Sequence, residues 1–429
     1  MVASTSTTLR MTFGIACAGT IAMRRPVLRR GRTIWLGRTN TAARHPVLRG
    51  HHTVDVAIVG GGMSGAMIGE AFAAEGASVA IVEAARVGHG STAASTALLL
   101  QEPDYDLDAL TRKHGRRDAR RIWRLSRDAA RDFIDTIRRL RIRCSLRECD
   151  SRYYTLDPKR ARALQRELRR RHSAGLAGTW LDAEALESAS GIRGAGAIRT
   201  RGNARLNPLA ATIGLIDAAI AKGAAVFERT TISRIRQRED GVRLYAPAGW
   251  IDARQVVIAT GYATRYFRPL AGRFKMRHTY VLATPPLAQK TRRAMGLGNV
   301  MLWDTARPYH YVRWTDDHRL LLGGEDRPVK PGARHSAQFA AAASELRDYF
   351  ERIFPSLDGL PVDLAWEGLF AMTPDGLPYI GPHRRYPHHA FALGYGGNGM
   401  TFAALAARLL VEQWRGVRSP DHELFAFSR

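Results

Sequence analysis

The chain has 429 residues, enough for two domains or for one large α/β domain with a cap. Hydrophobic residues make up 45% and charged residues 24%, an ordinary globular balance. No apolar run is long enough for a membrane-spanning helix. The formal charge of +26 comes almost wholly from arginine, which supplies 59 of the 65 basic residues. Cys17, Cys144 and Cys149 form no CxxC pair, which argues against a disulfide framework and against a zinc site and fits a reducing, cytoplasmic setting.

The N-terminal stretch carries no acidic residue before Asp55, and nine arginines lie between Arg10 and Arg49. The mildly apolar run Thr12–Ala22, followed by Arg24 and Arg25, fits a weak targeting signal, a disordered extension or a misplaced start codon. Residues 1–31 are therefore expected to lie outside the fold.

Thr53–Gly60 (TVDVAIVG) is a β-branched run of the buried parallel-strand type. It feeds directly into Gly60-Gly61-Gly62-Met63-Ser64-Gly65 and then a helical pattern through Glu75. This is GxGxxG in its required strand–turn–helix setting. Gly60 allows the tight turn, Gly62 lets the backbone approach a pyrophosphate, and Gly65 lets helix and strand pack closely. The next strand, Ser78–Val82, ends on Glu83, a carboxylate placed to accept hydrogen bonds from ribose hydroxyls. A carboxylate there disfavours a 2′-phosphate, and so disfavours NADP.

Across Arg112–Arg147, Ile122, Leu125, Ala129, Phe133, Ile137 and Leu140 recur at helical spacing with arginines between them. The basic charge there reads as a solvated helix face, because no interleaved aromatics of the RNA-binding kind accompany it. Leu209–Ala221 reads as a helix, and Ala225–Ile235 and Gly249–Gly261 read as strands, the latter ending in the small-residue turn Ala259-Thr260-Gly261. Met276–Ala283 and Trp303–Trp314 read as further strands. Ala390–Leu393, the glycine loop GYGGNG and an amphipathic helix over Met400–Trp414 form a second strand–turn–helix unit. Its glycine density suggests backbone pressed against a ligand. His383, His388 and His389 lack a carboxylate or cysteine at ligand spacing, so no metal site is expected there.

In this order, VGGGMSG with Glu83, the VVIATG strand, the strand end at Arg319–Asp326, TPDGLPYIGP and ALGYGGNGMT resemble the D-amino-acid-oxidase-like family of FAD-dependent oxidoreductases. The likeness runs from about Ile34 to about Trp414. It implies an α/β fold: a Rossmann-type FAD-binding domain and a second, mostly antiparallel β-sheet substrate domain. The FAD-binding parts would be 32–110, 201–270 and 363–429; 111–200 would be helical and substrate-domain, and 271–362 the rest of the substrate domain. By the same likeness Gly60, Gly62, Met63, Ser64 and Gly65 would hold the pyrophosphate and Glu83 the ribose. Ser91 and Thr92 would lie near the diphosphate, Ile232 near the adenine, Thr260 and Gly261 beside the cofactor, and Gly397, Asn398, Gly399, Met400 and Thr401 at the flavin ring.

Three departures bear on the chemistry. The flavin-linking cysteine of the sarcosine oxidases would fall near Gly368, so FAD is expected to be non-covalent. The arginine that clamps an α-carboxylate would fall near Phe370, which puts an α-amino-acid substrate in doubt. The oxygen-activating lysine would fall near Leu321, which weakens the case for a fast oxidase. In such sites the flavin takes a hydride equivalent from a carbon bearing an amine, and the protein orients and excludes water. Candidate catalytic residues are Tyr309 and Tyr311 flanking a substrate amine, His278 accepting its proton, and Glu325 attracting its charge. Each also reads as a packing or hydrogen-bonded structural residue. Two other functions are open to the same sequence: a nicotinamide-dependent dehydrogenase using only the Gly60–Glu83 unit, and a basic protein binding nucleic acid or acidic lipid. The partner expected first is a small-molecule amine or amino acid, with no nucleic acid.

Overall fold

The structure, a computed structural model, describes residues 26–39 and 45–429. Cys17 and most of the expected N-terminal extension lie outside these residues. Two sheets organise the chain, and each takes strands from well-separated stretches of sequence.

The first sheet holds eight strands, with Gly249–Gly261 and Gly50–Val59 side by side and parallel at its centre. Val79–Val82 and Ala225–Phe227 extend it on one side and Tyr386–Leu393 on the other, all in parallel. Val56, Ala57 and Ile58 are each fully buried, because both faces of a parallel sheet are covered; this is why the sequence there is continuously apolar rather than alternating. The helix Met63–Ala74 is apolar around most of its circumference. It packs on the sheet and is itself covered by the helices Pro208–Ile220 and Gly399–Trp414. Asn207 starts the first of these covering helices by accepting from the Leu209 and Ala210 amides, a cap worth about 1 kcal/mol.

The second sheet has ten strands, paired antiparallel except where Val300–Asp304 runs beside Arg147–Thr155. Leu364–Met372, Lys275–Ala283, Leu320–Pro328 and His310–Trp314 follow one another across it. The helix Ala333–Ile353 packs on its outer face, burying Leu346, Phe350 and Ile353 against Leu282, Val312 and Leu322. The inner face turns towards the nucleotide-type domain. No helix among the described residues is long and apolar enough to cross a membrane.

Several expected boundaries move. Arg29–Gly31 pairs with Trp366–Gly368 as an edge strand of the second sheet, so the fold begins before residue 31. Leu98–Leu99 and Leu364–Met372 also belong to that sheet, not to the nucleotide-type parts 32–110 and 363–429 in which they were expected. The expected strand Ala225–Ile235 is two short strands, Ala225–Phe227 and Arg234–Arg238, separated by an irregular run. There Glu228 turns inward to accept from the Val87 amide, and the Thr230 amide donates to Glu83 O, bonds a straight strand could not make. The arginine-rich helix spans Leu107–Arg139 and is broken at Gly115 (φ 79°). Ile122, Leu125, Ala129, Phe133 and Ile137 are buried as the periodicity requires, but in the core of the first domain.

Candidate active site

A cavity of about 1500 Å³ runs between the two sheets. It exceeds the roughly 300–1,000 Å³ of an ordinary small-molecule pocket, leaving room for a dinucleotide and a second ligand.

At one end lies the glycine turn. Gly60 has φ +116°, a left-handed conformation, and its amide donates to Val82 O at 2.9 Å. A Cβ on Gly65 would overlap the Gly60 carbonyl oxygen, so the close packing of helix on turn needs glycine there. Glu83 Oε2 accepts from the Gly61 amide and Oε1 from the Ala85 amide, each at 2.8 Å. The carboxylate thus holds the turn as well as facing the cavity. Thr92 Oγ1 accepts from the Met63 amide at 3.0 Å, and Ser91 Oγ donates to Leu369 O at 2.6 Å, tying this end of the cavity to the second sheet. Gly60, Gly62, Met63, Ser64, Glu83, Ser91, Thr92, Ile232, Thr260 and Gly261 all line the cavity. Gly65 lies behind it.

At the other end is the C-terminal glycine turn. Gly397, Asn398, Gly399 and Met400 line the cavity, whereas Thr401 points back and donates to Leu100 O at 2.6 Å. The turn is held by the segment 100–104. Asp104 accepts from the Gly397 amide at 2.8 Å and from Asn398 Nδ2 at 2.9 Å. Burial pushes the Asp104 carboxyl up to about 6, against the opposing Gly397 hydrogen bond and the Arg307 charge.

The second sheet forms the facing wall. Tyr309 and Tyr311 both line the cavity, and burial raises both phenols well above their ordinary range, so both stay protonated. The Tyr309 hydroxyl donates to Asp104 O at 2.8 Å, and Arg307 lies over the Tyr309 ring at 3.7 Å. Tyr311 Oη and Thr279 Oγ1 are hydrogen-bonded at 2.7 Å. Asp326 completes this wall: one carboxylate oxygen is bonded to Thr279, and buried Oδ1 has no hydrogen-bond partner. Burial pushes its carboxyl up to about 6.

Residues 55–413 match the family model described as FAD dependent oxidoreductase, the DAO family. The chain belongs to this family. It is 28% identical over 376 residues to gamma-glutamylputrescine oxidoreductase of Escherichia coli (strain K12), covering 85% of this chain and 84% of that protein. It is likewise 28% identical over 371 residues to glycine oxidase of Geobacillus kaustophilus (strain HTA426), covering 84% of this chain and 93% of that one. Among solved structures, the glycine oxidase from Geobacillus kaustophilus superposes with a TM-score of 0.73 at 23% identity, covering 88% of this chain and 99% of the other. The L-proline dehydrogenase from P. horikoshii also gives 0.73, at 18% identity and 88% and 97% coverage.

FAD is therefore the cofactor, and the cavity fits it. The helices Met63–Ala74 and Gly399–Trp414 both open on the cavity, and neither N-cap residue offers a capping side chain, which leaves amide donors for anionic groups. Gly60–Ser64 would hold the pyrophosphate, Glu83 the ribose, and Gly397–Met400 the flavin ring.

Two expected catalytic residues face away from the cavity. On the strand Lys275–Ala283, Arg277 and Thr279 line the cavity, so strand alternation turns His278 to the outer face. Burial, with the charges of His335 and Arg30, holds the His278 imidazole down to about 4. Glu325 also lies on the outer side. It bonds His310 Nε2 at 3.0 Å and Arg327 Nη2 at 3.0 Å, while His310 Nδ1 meets Asp304 Oδ2 at 2.8 Å. The cause is a bulge. His278 pairs with Arg327 and Tyr280 with Gly324, so Glu325 and Asp326 together stand opposite Thr279. Glu325 takes the strain at φ 56°, and Asp326 is the residue aimed inward. Asp104, Arg277 and Thr279 were not expected at the site; the last two share the face of the 275–283 strand opposite to that of His278, the residue singled out there. His383, His388 and His389 do not gather: His389 Nδ1 bonds Pro387 O, and His383 Nδ1 accepts from the Arg385 amide.

Proposed function

We propose that this protein oxidises a C–N bond of an amine or amino acid to an imine, with the substrate ammonium seated against Asp326 between Tyr309 and Tyr311. The observation that carries this reading is Asp326 Oδ1, a buried carboxylate oxygen without a partner on the substrate wall. A buried carboxylate oxygen left without a donor is costly, and an ammonium group supplies both charge and donors. The two tyrosine rings add cation–π attraction. When bound, FAD supplies the acceptor for the electron pair and hydrogen that leave the substrate carbon. Asp326 takes the proton that the nitrogen must lose, a transfer suited to a carboxyl whose pKa lies near working pH. The wall of Trp303, Tyr309 and Phe370 keeps water from the reacting carbon, and the released imine hydrolyses in solution.

The family's carboxylate clamp would fall near Phe370, whose cross-strand partner Arg277 also lines the cavity. An acidic group on the substrate would be held by Arg277 from the neighbouring strand. Gly368 offers no nucleophile to the cavity, in keeping with non-covalent FAD.

The test is visible absorbance of the holoenzyme followed anaerobically with a panel of primary and secondary amines and amino acids. Bleaching by a compound with an ammonium group supports the reading and names the substrate; admitting air then separates oxidase from dehydrogenase. Bleaching only by hydroxy acids or alcohols would overturn it.

A further inference from the structure

Behind the cavity, on the outer face of the second sheet, three residues from three separate elements converge. His278 comes from the strand Lys275–Ala283, Glu367 from the strand Leu364–Met372, and His335 from the first turn of the helix Ala333–Ile353. All are buried, at 5%, 1% and 6% exposure respectively. One nitrogen from each imidazole and one carboxylate oxygen lie within 4.8 Å of one another.

We propose that His278, His335 and Glu367 form a binding site for a divalent transition metal, Zn²⁺ by the chemistry of the ligands. Two imidazoles and one carboxylate are a known zinc ligand set, with a water in the fourth position. Ligand atoms about 2.0–2.2 Å from a tetrahedral ion are separated by roughly 3–3.5 Å. The present spacings fall on either side of that: His335 Nε2 to Glu367 Oε1 is 2.7 Å, and His278 Nε2 to the same oxygen is 4.0 Å. The two imidazole rings stand edge to face, at 73° with centroids 4.9 Å apart.

The independent observation is the unmet hydrogen bonding. Both Glu367 carboxylate oxygens and His278 Nδ1 are buried without an aligned hydrogen-bond partner. Native interiors seldom leave such groups unpaired, and a missing ion or water is a standard reason when they do. Arg30 is the competitor: its Nε stands 3.5 Å from Glu367 Oε1, but its side chain is half exposed and free to swing into solvent as a cation enters.

The site would act as a staple, because it joins the start of the outer helix to two strands whose other faces line the cavity. Gly368, the residue after Glu367, is part of the cavity wall.

The experiment uses untagged holoenzyme, stripped with a chelator and titrated with Zn²⁺. The expected result is one tight equivalent per chain and a Tm that rises by several degrees on loading, with the flavin spectrum unchanged. His335→Ala and Glu367→Gln should each weaken Zn²⁺ binding roughly 100-fold or more while keeping flavin content. If either variant fails to fold, Co²⁺ added to the wild-type chain should give visible bands of a low-symmetry nitrogen–oxygen site. No stoichiometric binding, or binding unchanged in both variants, would overturn the proposal and leave Arg30 and His335 as the neutralising partners of Glu367.

Discussion

Replacing Asp326 with asparagine should move activity and stability in opposite directions. Burial raises its carboxyl from an ordinary 3.8 to about 6, roughly a hundredfold change in ionisation constant and so about 3 kcal/mol. An acid whose pKa is higher in the folded chain than in the unfolded one loses stability as pH rises from about 3.8 through about 6. At pH 7, therefore, the ionised carboxylate costs the substrate-free protein up to that amount, and a neutral amide of the same shape escapes the cost. For a chain of this length a gain of about 3 kcal/mol corresponds to about 3 °C in Tm, and the gain should vanish near pH 4. Catalysis should suffer. Without the carboxylate the ammonium loses its ion pair, and kcat/KM for the best amine should fall roughly 100-fold. Wild-type kcat/KM should fall about tenfold per pH unit below about 6, as the carboxyl protonates, while the variant loses that limb of the profile. Anaerobic stopped-flow reduction of the flavin and thermal unfolding from pH 4 to 8 read both effects. A variant that keeps kcat/KM within about threefold, or that is less stable at pH 7, would refute the assignment of Asp326 to the amine.

Gly65→Ala should yield a chain that retains little flavin, because the new methyl overlaps Gly60 O and pushes the helix off the turn; absorbance of the purified protein at the flavin maximum checks it. Glu83→Gln should fold but bind FAD roughly 10- to 100-fold more weakly, since one oxygen of the side chain becomes a donor facing a backbone donor; titration of apoprotein by fluorescence quenching reads the loss. Cys144 and Cys149 are both buried with thiols pushed up to about 11, so peptide mapping after alkylation at pH 8 should find both unmodified in the native protein and modified in denaturant.

The cofactor half of the site was legible because its determinants are local. In 50–83 the strand, glycine turn, helix and carboxylate follow each other within one stretch, and each carries its own signature: β-branched run, glycine spacing, helical periodicity. The strand Gly249–Gly261 and the turn before Gly399–Trp414 were readable for the same reason. Edge strands of two or three residues, Leu98–Leu99 and Arg29–Gly31, carry too few positions to show any period, and their pairing is decided by partners more than a hundred residues away. Asp104 gave no signal at all, since it sits in a loop whose role comes from the distant Gly397 and Asn398 that it binds.

On the substrate wall the errors share one physical form, a slip of a single residue. Strand alternation says which residues share a face but not which face meets the cavity; that is settled by what packs on the other side. Tyr309 and Tyr311, at alternate positions, share one face of their strand, and that face lines the cavity. His278 and Glu325 were single polar residues, and each lies next to the residue that does face inward, Thr279 or Arg277 in one case and Asp326 in the other. The bulge that sets Glu325 and Asp326 opposite Thr279 accounts for the second slip, whereas the 275–283 strand pairs regularly with Leu364–Met372 and His278 lies on its outer face by plain alternation. That extra residue directs one acid to the cavity and the other to His310 and Arg327, giving adjacent carboxyls opposite environments. Asp326 is raised to about 6 by burial. Glu325 is buried too, yet its bonds to His310 and Arg327 hold it below the ordinary carboxylate range. Removing the extra residue by deleting Glu325 would restore plain alternation after Gly324 and leave Asp326 opposite Thr279, still on the cavity face. That deletion should therefore retain amine turnover, in contrast to losing Asp326 itself, while costing stability through the lost bonds to His310 and Arg327; anaerobic flavin reduction as poor as that of Asp326→Asn would refute the assignment of the bulge.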